Sequence, residues 1–142
     1  MKKRLAGMLA LMTMALTTPG IAQTTPSSEH RIVFHLSTPD TAAYRALTKQ
    51  LNNVLAVWPS AKLEVVVHNK GIGFMHKDQS RVGAEIQALH QQGVVFAVCE
   101  NTLKSQKLSR NQMLPQATFV PVGLNEIVLK QEEGWSYIKA GF

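Results

Sequence analysis

The chain has 142 residues, with 15 Lys+Arg against nine Asp+Glu and a single cysteine. That length suits one domain with one core. A lone cysteine excludes an internal disulfide, a Cys-x-x-Cys redox pair and a cysteine-rich zinc site. The net charge of +6 includes Lys2, Lys3 and Arg4. Without the first 22 residues the charge falls to +3, with no run of five like charges and no aromatic-studded basic strip, so nothing points to nucleic acid.

Lys2, Lys3 and Arg4 form a basic start, Leu5 to Leu16 an uncharged apolar run, and Thr17 to Ala22 a short end holding Pro19, Gly20 and Ala22. This is the pattern of a cleavable secretory signal peptide over residues 1–22. The apolar run is shorter than the roughly 20 residues that span a bilayer, so no stable membrane anchor is expected. The expected location is the periplasm. Residues 23–30 are polar, contain Pro26 and read as a flexible leader. Residues 31–142 then form the domain.

Arg31 to Leu36 reads as the first strand, and Ser37-Thr38-Pro39-Asp40 offers a helix start. Tyr44, Leu47, Leu51, Val54, Leu55 and Trp58 share one helical face, and Pro59 stops that helix. Leu63 to Val67 is a second strand ending at His68. Asn69 to Lys77 reads as a loop in which Gly71 and Gly73 permit close backbone approach. Asp78 can cap a second helix carrying Val82, Ile86 and Leu89, with Gly93 beyond its end.

Val94 to Val98 is a continuous apolar run leading to Cys99. It predicts a strand buried on both faces. Asn101 is a suitable N-cap for a helix that follows at once. Ser109 can cap a short turn, Ala117 to Val120 reads as a fourth strand, and Leu124, Ile127 and Val128 mark a helix ending at Gly134. Trp135, Tyr137 and Ile138 suggest a final edge strand, whose aromatics are candidates for an interface. The alternation implies a three-layer α/β fold: a doubly wound, mainly parallel five-stranded sheet with helices on both faces, of flavodoxin-like type.

Cys99 therefore falls at a strand-to-helix corner, the edge at which open α/β sheets bind ligands. A thiolate is the reactive form, and a helix N-terminus or a nearby cation favours it. Asn101 and Thr102 would supply the helix N-terminus and Lys104 the cation. If the first and third strands are neighbours, Ser37 comes close to Cys99. His68 closes the second strand and is a candidate for the same crevice, whereas His35, inside the first strand, reads as a satisfied, half-buried histidine. Lys104, Lys107 and Arg110 recur at a spacing of three. They form either a solvated face or an electropositive rim that attracts an anionic sulfur species. No metal-ligand spacing, phosphate loop or dinucleotide fingerprint is present, and no cofactor is expected.

Three stretches carry a family resemblance: Val98-Cys99-Glu100-Asn101-Thr102-Leu103; Leu114-Pro115 with Val120-Pro121-Val122-Gly123; and the tail Gln131 to Lys139, Gln-Glu-Glu-Gly-Trp-Ser-Tyr-Ile-Lys. With them the chain resembles the DsrE/DsrF-like sulfur-relay family over roughly Arg31 to Lys139. The resemblance implies a compact α/β domain that assembles into homo-oligomers, often trimers or hexamers. It also implies that Cys99 carries sulfur as a persulfide, exchanged with sulfur donor or acceptor proteins or small sulfur species. His68 and Asn69 would line the pocket; Asn69 stands where the family usually has a small residue. The expected function is that of a periplasmic, thiol-dependent sulfur carrier of sulfurtransferase type. Two alternatives stay open: a non-catalytic oligomeric binding or assembly module with a structural Cys99, and a thiol redox sensor.

Overall fold

The computed structural model describes residues 29–141. The expected signal peptide and most of the expected leader lie outside the described residues. The elements run β1 (Arg31–Leu36), α1 (Thr41–Val57), β2 (Lys62–Val67), a 3-10 helix (Asn69–Phe74), α2 (Gly83–Gln91), β3 (Val95–Cys99), α3 (Glu100–Ser105), a 3-10 turn (Arg110–Gln112), β4 (Ala117–Val120), α4 (Gly123–Glu132) and β5 (Ser136–Ala140). All five strands are parallel, in the order β4-β3-β2-β1-β5. This differs from the flavodoxin-type order, in which the first and third strands are neighbours.

The order follows a simple rule of hand. From β1 to β4 each step moves one place across the sheet in the same direction. Right-handed crossovers then send α1, α2 and α3 to one face. The last connection runs back past β1, so α4 lands on the other face. The core divides accordingly. Tyr44, Leu47 and Leu51 of α1 and Ile86 and Leu89 of α2 pack on Phe34, Leu36, Val65, Val67, Phe96 and Val98. Ile127 of α4 packs on Val33, Val66 and Ala97. Phe74 joins the first core, edge-on to Tyr44 at 5.3 Å between ring centres.

Two faces so unequally covered explain the strand sequences. The α4 face carries Glu64 in the middle of the apolar run of β2. Glu64 is 4% exposed. Lys130 of α4 reaches its carboxylate at 3.3 Å and Glu126 at 3.5 Å. Burial raises the Glu64 pKa, and the lysine opposes that rise. Outer residues of α4, among them Leu124, Val128 and Leu129, are left exposed.

Caps set most of the helix boundaries. Asp40 accepts the Ala42 amide at 2.8 Å and starts α1. Gly93 and Gly134, both at positive φ, follow α2 and α4. Asp78 does not cap α2. Residues 77–79 form a turn closed by the His76 carbonyl, which accepts from Gln79 and Ser80, and α2 begins only after Val82. Nor is Asn101 the cap of α3. That helix begins two residues earlier than expected, at Glu100, and its N-cap is Cys99 itself. The expected loop after His68 is instead largely a 3-10 helix.

Candidate functional site

The carboxyl ends of β3 and β4 form the switch point of this sheet. The chain leaves β3 for α3 on one face and leaves β4 for α4 on the other. Ligand crevices in open α/β sheets form where neighbouring strands part in this way. Cys99 is the last residue of β3, and Pro121-Val122-Gly123 leads from β4 into α4.

The sulfur sits in a cradle of donors. As N-cap of α3, Cys99 accepts the Thr102 amide at 3.4 Å. Burial pushes the thiol pKa up. The Thr102 hydroxyl, then the backbone amides of Gly123 and Thr102, pull it down more strongly, and the net shift is downward; the Asn101 amide, close by, donates to the Pro121 carbonyl at 3.1 Å. A thiolate is favoured when hydrogen bonds reach the charged form. The donors are themselves fixed. The Thr102 hydroxyl accepts the Asn69 amide at 2.9 Å, so its own proton is free to turn to the sulfur. Gln106 holds the Asn69 carbonyl at 2.9 Å. Asn69 adopts φ 51°, a left-handed conformation that asparagine tolerates better than most side chains.

Gly123 brings α4 against this corner. A Cβ at Gly123 would lie 3.3 Å from the Cβ of Cys99 and 3.3 Å from that of His68. His68 directly follows Val67, whose β3 partner is Val98. His68 and Cys99 thus occupy the next in-register positions on adjacent strands, on the face covered by α4. The ring of His68 meets that of His35, Nε2 to Nε2, at 2.6 Å, and His35 Nδ1 meets the Tyr137 hydroxyl at 2.8 Å. Burial lowers the pKa of both histidines, and His35 is lowered further by His68 and Lys139. Both shifts favour the neutral ring.

Of the residues singled out from sequence, Cys99, Asn101, Thr102, His68 and Asn69 come together at this corner, Asn101 through its backbone. Ser37 does not. It follows β1, and β2 stands between β1 and β3; the expectation assumed a neighbour relation that the strand order lacks. Lys104 is not among the groups that shift the thiol. It lines an adjoining cleft of about 520 Å³ with Asn101, Arg110, Pro121 and Val122. Arg110 pairs with Glu100 and lies over the Phe119 ring, which breaks the expected basic stripe. Gly123, His35 and Tyr137 were not anticipated as site residues. His35 and His68 each continue the alternation of a strand, but only the pairing of β1 with β2 and β5 brings the three rings together. Among the described residues no three His, Cys, Asp or Glu side chains are grouped to hold a metal ion.

Comparison with known proteins bears on the fold that carries this site. The model of the DsrE/DsrF-like family matches residues 30–140. The chain belongs to the DsrE/DsrF-like family. MTH1491 of Methanobacterium thermoautotrophicum, a protein of unknown function, has a similar structure, with a TM-score of 0.74 and 32% identity. That match covers 78% of this chain and 98% of the other. BT1422 of Bacteroides thetaiotaomicron, also of unknown function, shares the fold at a TM-score of 0.66 and 12% identity. It covers 80% of this chain and 97% of its own. No curated protein matches significantly. The DsrE/DsrF-like fold thus extends over nearly all the described residues, and membership is consistent with sulfur relay at the family level.

Proposed function

We propose that this DsrE/DsrF-like protein is a periplasmic, thiol-dependent sulfur carrier of sulfurtransferase type, with Cys99 holding sulfur as a persulfide. The supporting observation is that Cys99, at the end of β3, caps α3 and accepts the Thr102 amide at 3.4 Å with Gly123 packed against it, an arrangement that favours the sulfur anion. The same donors would stabilise a persulfide anion, whose charge lies one atom further out. Export is supported by the basic, apolar and small-residue pattern of residues 1–22. Among the described residues no helix is long and apolar enough to cross a membrane. Homo-oligomeric assembly is supported by the exposed apolar side chains of α4.

Incubation of the purified native protein with a sulfane-sulfur donor, followed by intact-mass measurement, tests the carrier role. Wild type gains one sulfur, about 32 Da, removable by a reductant, and Cys99→Ser gains none. A wild-type mass that stays unchanged refutes persulfide carriage. One observation favours the second reading, a binding or assembly module: Cys99 is only 3% exposed. A thiol that titrates only after unfolding would support that module.

A further inference from the structure

The corner next to Cys99 holds a chain of three polar rings that the sulfur cradle does not use. Tyr137 is 40% exposed and stands at its outer end. His35 is in the middle and His68 at the inner end, beside Cys99. Each imidazole has one proton when neutral, so the two short contacts restrict the tautomers. If His35 carries its proton on Nε2, it donates to His68 Nε2 and accepts the Tyr137 proton on Nδ1. His68 must then carry its own proton on Nδ1. In the reverse arrangement His68 donates from Nε2, and His35 donates from Nδ1 to the Tyr137 oxygen. Both arrangements satisfy both hydrogen bonds. They differ by one proton passed along the chain, which is the requirement for a relay.

We propose that His68, His35 and Tyr137 form a neutral proton relay and that His68 protonates the thiolate leaving group when Cys99 reacts with a sulfur donor. The proposal rests on the carrier reading for its substrate, a persulfide of an alkyl thiol. The Cys99 thiolate attacks the outer sulfur of R–S–SH. The S–S bond breaks, and its electron pair leaves with R–S⁻. His68 Nδ1–H gives its proton to that thiolate, forming R–SH. The His35 proton moves to His68 Nε2, the Tyr137 proton to His35 Nδ1, and solvent reprotonates the phenolate. The proton of the transferred sulfur is lost to solvent. The net change is Cys99–S⁻ plus R–S–SH to Cys99–S–S⁻ plus R–SH, with no oxidant or reductant required. Alkyl thiolates are basic leaving groups, so a proton donor matters most for them. Charged and titratable groups on this face are Arg31 of β1, Lys139 of β5, Cys99 of β3, Lys62 and Glu64 of β2, and Lys130 of α4 with its partners Glu126 and Glu133.

The test varies the leaving group. Native wild type, Tyr137→Phe and His68→Asn react with three probes: an alkyl disulfide, an aromatic disulfide whose thiol is acidic, and iodoacetamide, which releases iodide. The relay predicts that the variants slow on the order of 10-fold with the alkyl disulfide and keep their rates with the other two. Equal slowing with all three probes, or no slowing with any, overturns it. Disulfide exchange needs no persulfide, so failure of wild type to take up sulfur would reject the carrier reading while the relay is judged separately. Nitrogen-15 spectra of wild-type histidine side chains give a second readout. His35 and His68 should be neutral at pH 7.5 with opposite tautomers, one Nδ1–H and the other Nε2–H. The same tautomer in both, or a charged ring, overturns the relay.

Discussion

At the scale of single residues, the site is a contest between burial and hydrogen bonding. Burial disfavours the thiolate of Cys99, and hydrogen bonding, with the Thr102 hydroxyl first, more than offsets it. For the histidines burial prevails. His35 and His68 have lowered folded pKa values, so the unfolded chain takes up their protons first as pH falls. Their contribution to stability is full above the unfolded value, about 6.5, and is lost as pH falls through the folded values. Chemical denaturation between pH 7.5 and 5 should therefore show falling stability, and His35→Gln should flatten that slope. An unchanged slope in the variant would assign the effect to other groups. Cys99 was legible in sequence because it is unique and ends an apolar run. Its partners were less so. A backbone amide such as that of Gly123 has no sequence signature, and the Thr102 hydroxyl gains its role only because Asn69 occupies its acceptor side.

At the scale of elements, close approach decides the geometry. The first turn of α4 touches β2 and β3 because residue 123 has no side chain. A Cβ there would come within 3.2 Å of Val66 Cγ1 and 3.3 Å of Cys99 and His68. Gly123→Ala should overpack this contact and cost about 1–3 kcal/mol of stability, measured by denaturant unfolding. It should also draw the residue 123 amide off the sulfur and raise the thiol pKa. A variant as stable as wild type, with unchanged Cys99 reactivity, would show that α4 does not position the site. The strands and long helices were legible from periodicity, since apolar spacing reports burial directly. The start of α3 was not. Asn101 is a better cap by residue type, but the chain turns one strand residue beyond the apolar run, and Cys99 occupies the cap.

At the scale of the whole molecule, strand order is what sequence hides. Alternating strands and helices imply a parallel sheet, but the pattern is the same whether β1 neighbours β2 or β3. Placing β2 between them separates Ser37 from Cys99 and brings His68 in instead. The same order leaves one sheet face to α4 alone, with Leu124, Val128 and Leu129 on its outer side. A homo-oligomer built on this face should lose its assembly in Leu129→Asp, read as a fall in mass by light scattering, with the fold retained by circular dichroism. A monomeric wild type would contradict that assembly.

The central claim is that the cradle holds the buried Cys99 as a stabilised thiolate that reacts in the native protein. The most direct measurement is the pH dependence of Cys99 alkylation in the native protein, compared with Thr102→Val. Wild type should react without unfolding, with an inflection below the ordinary thiol value of about 8.5, and Thr102→Val should move that inflection upward. An inflection at or above the ordinary value, or a thiol that reacts only in denaturant, would contradict the account.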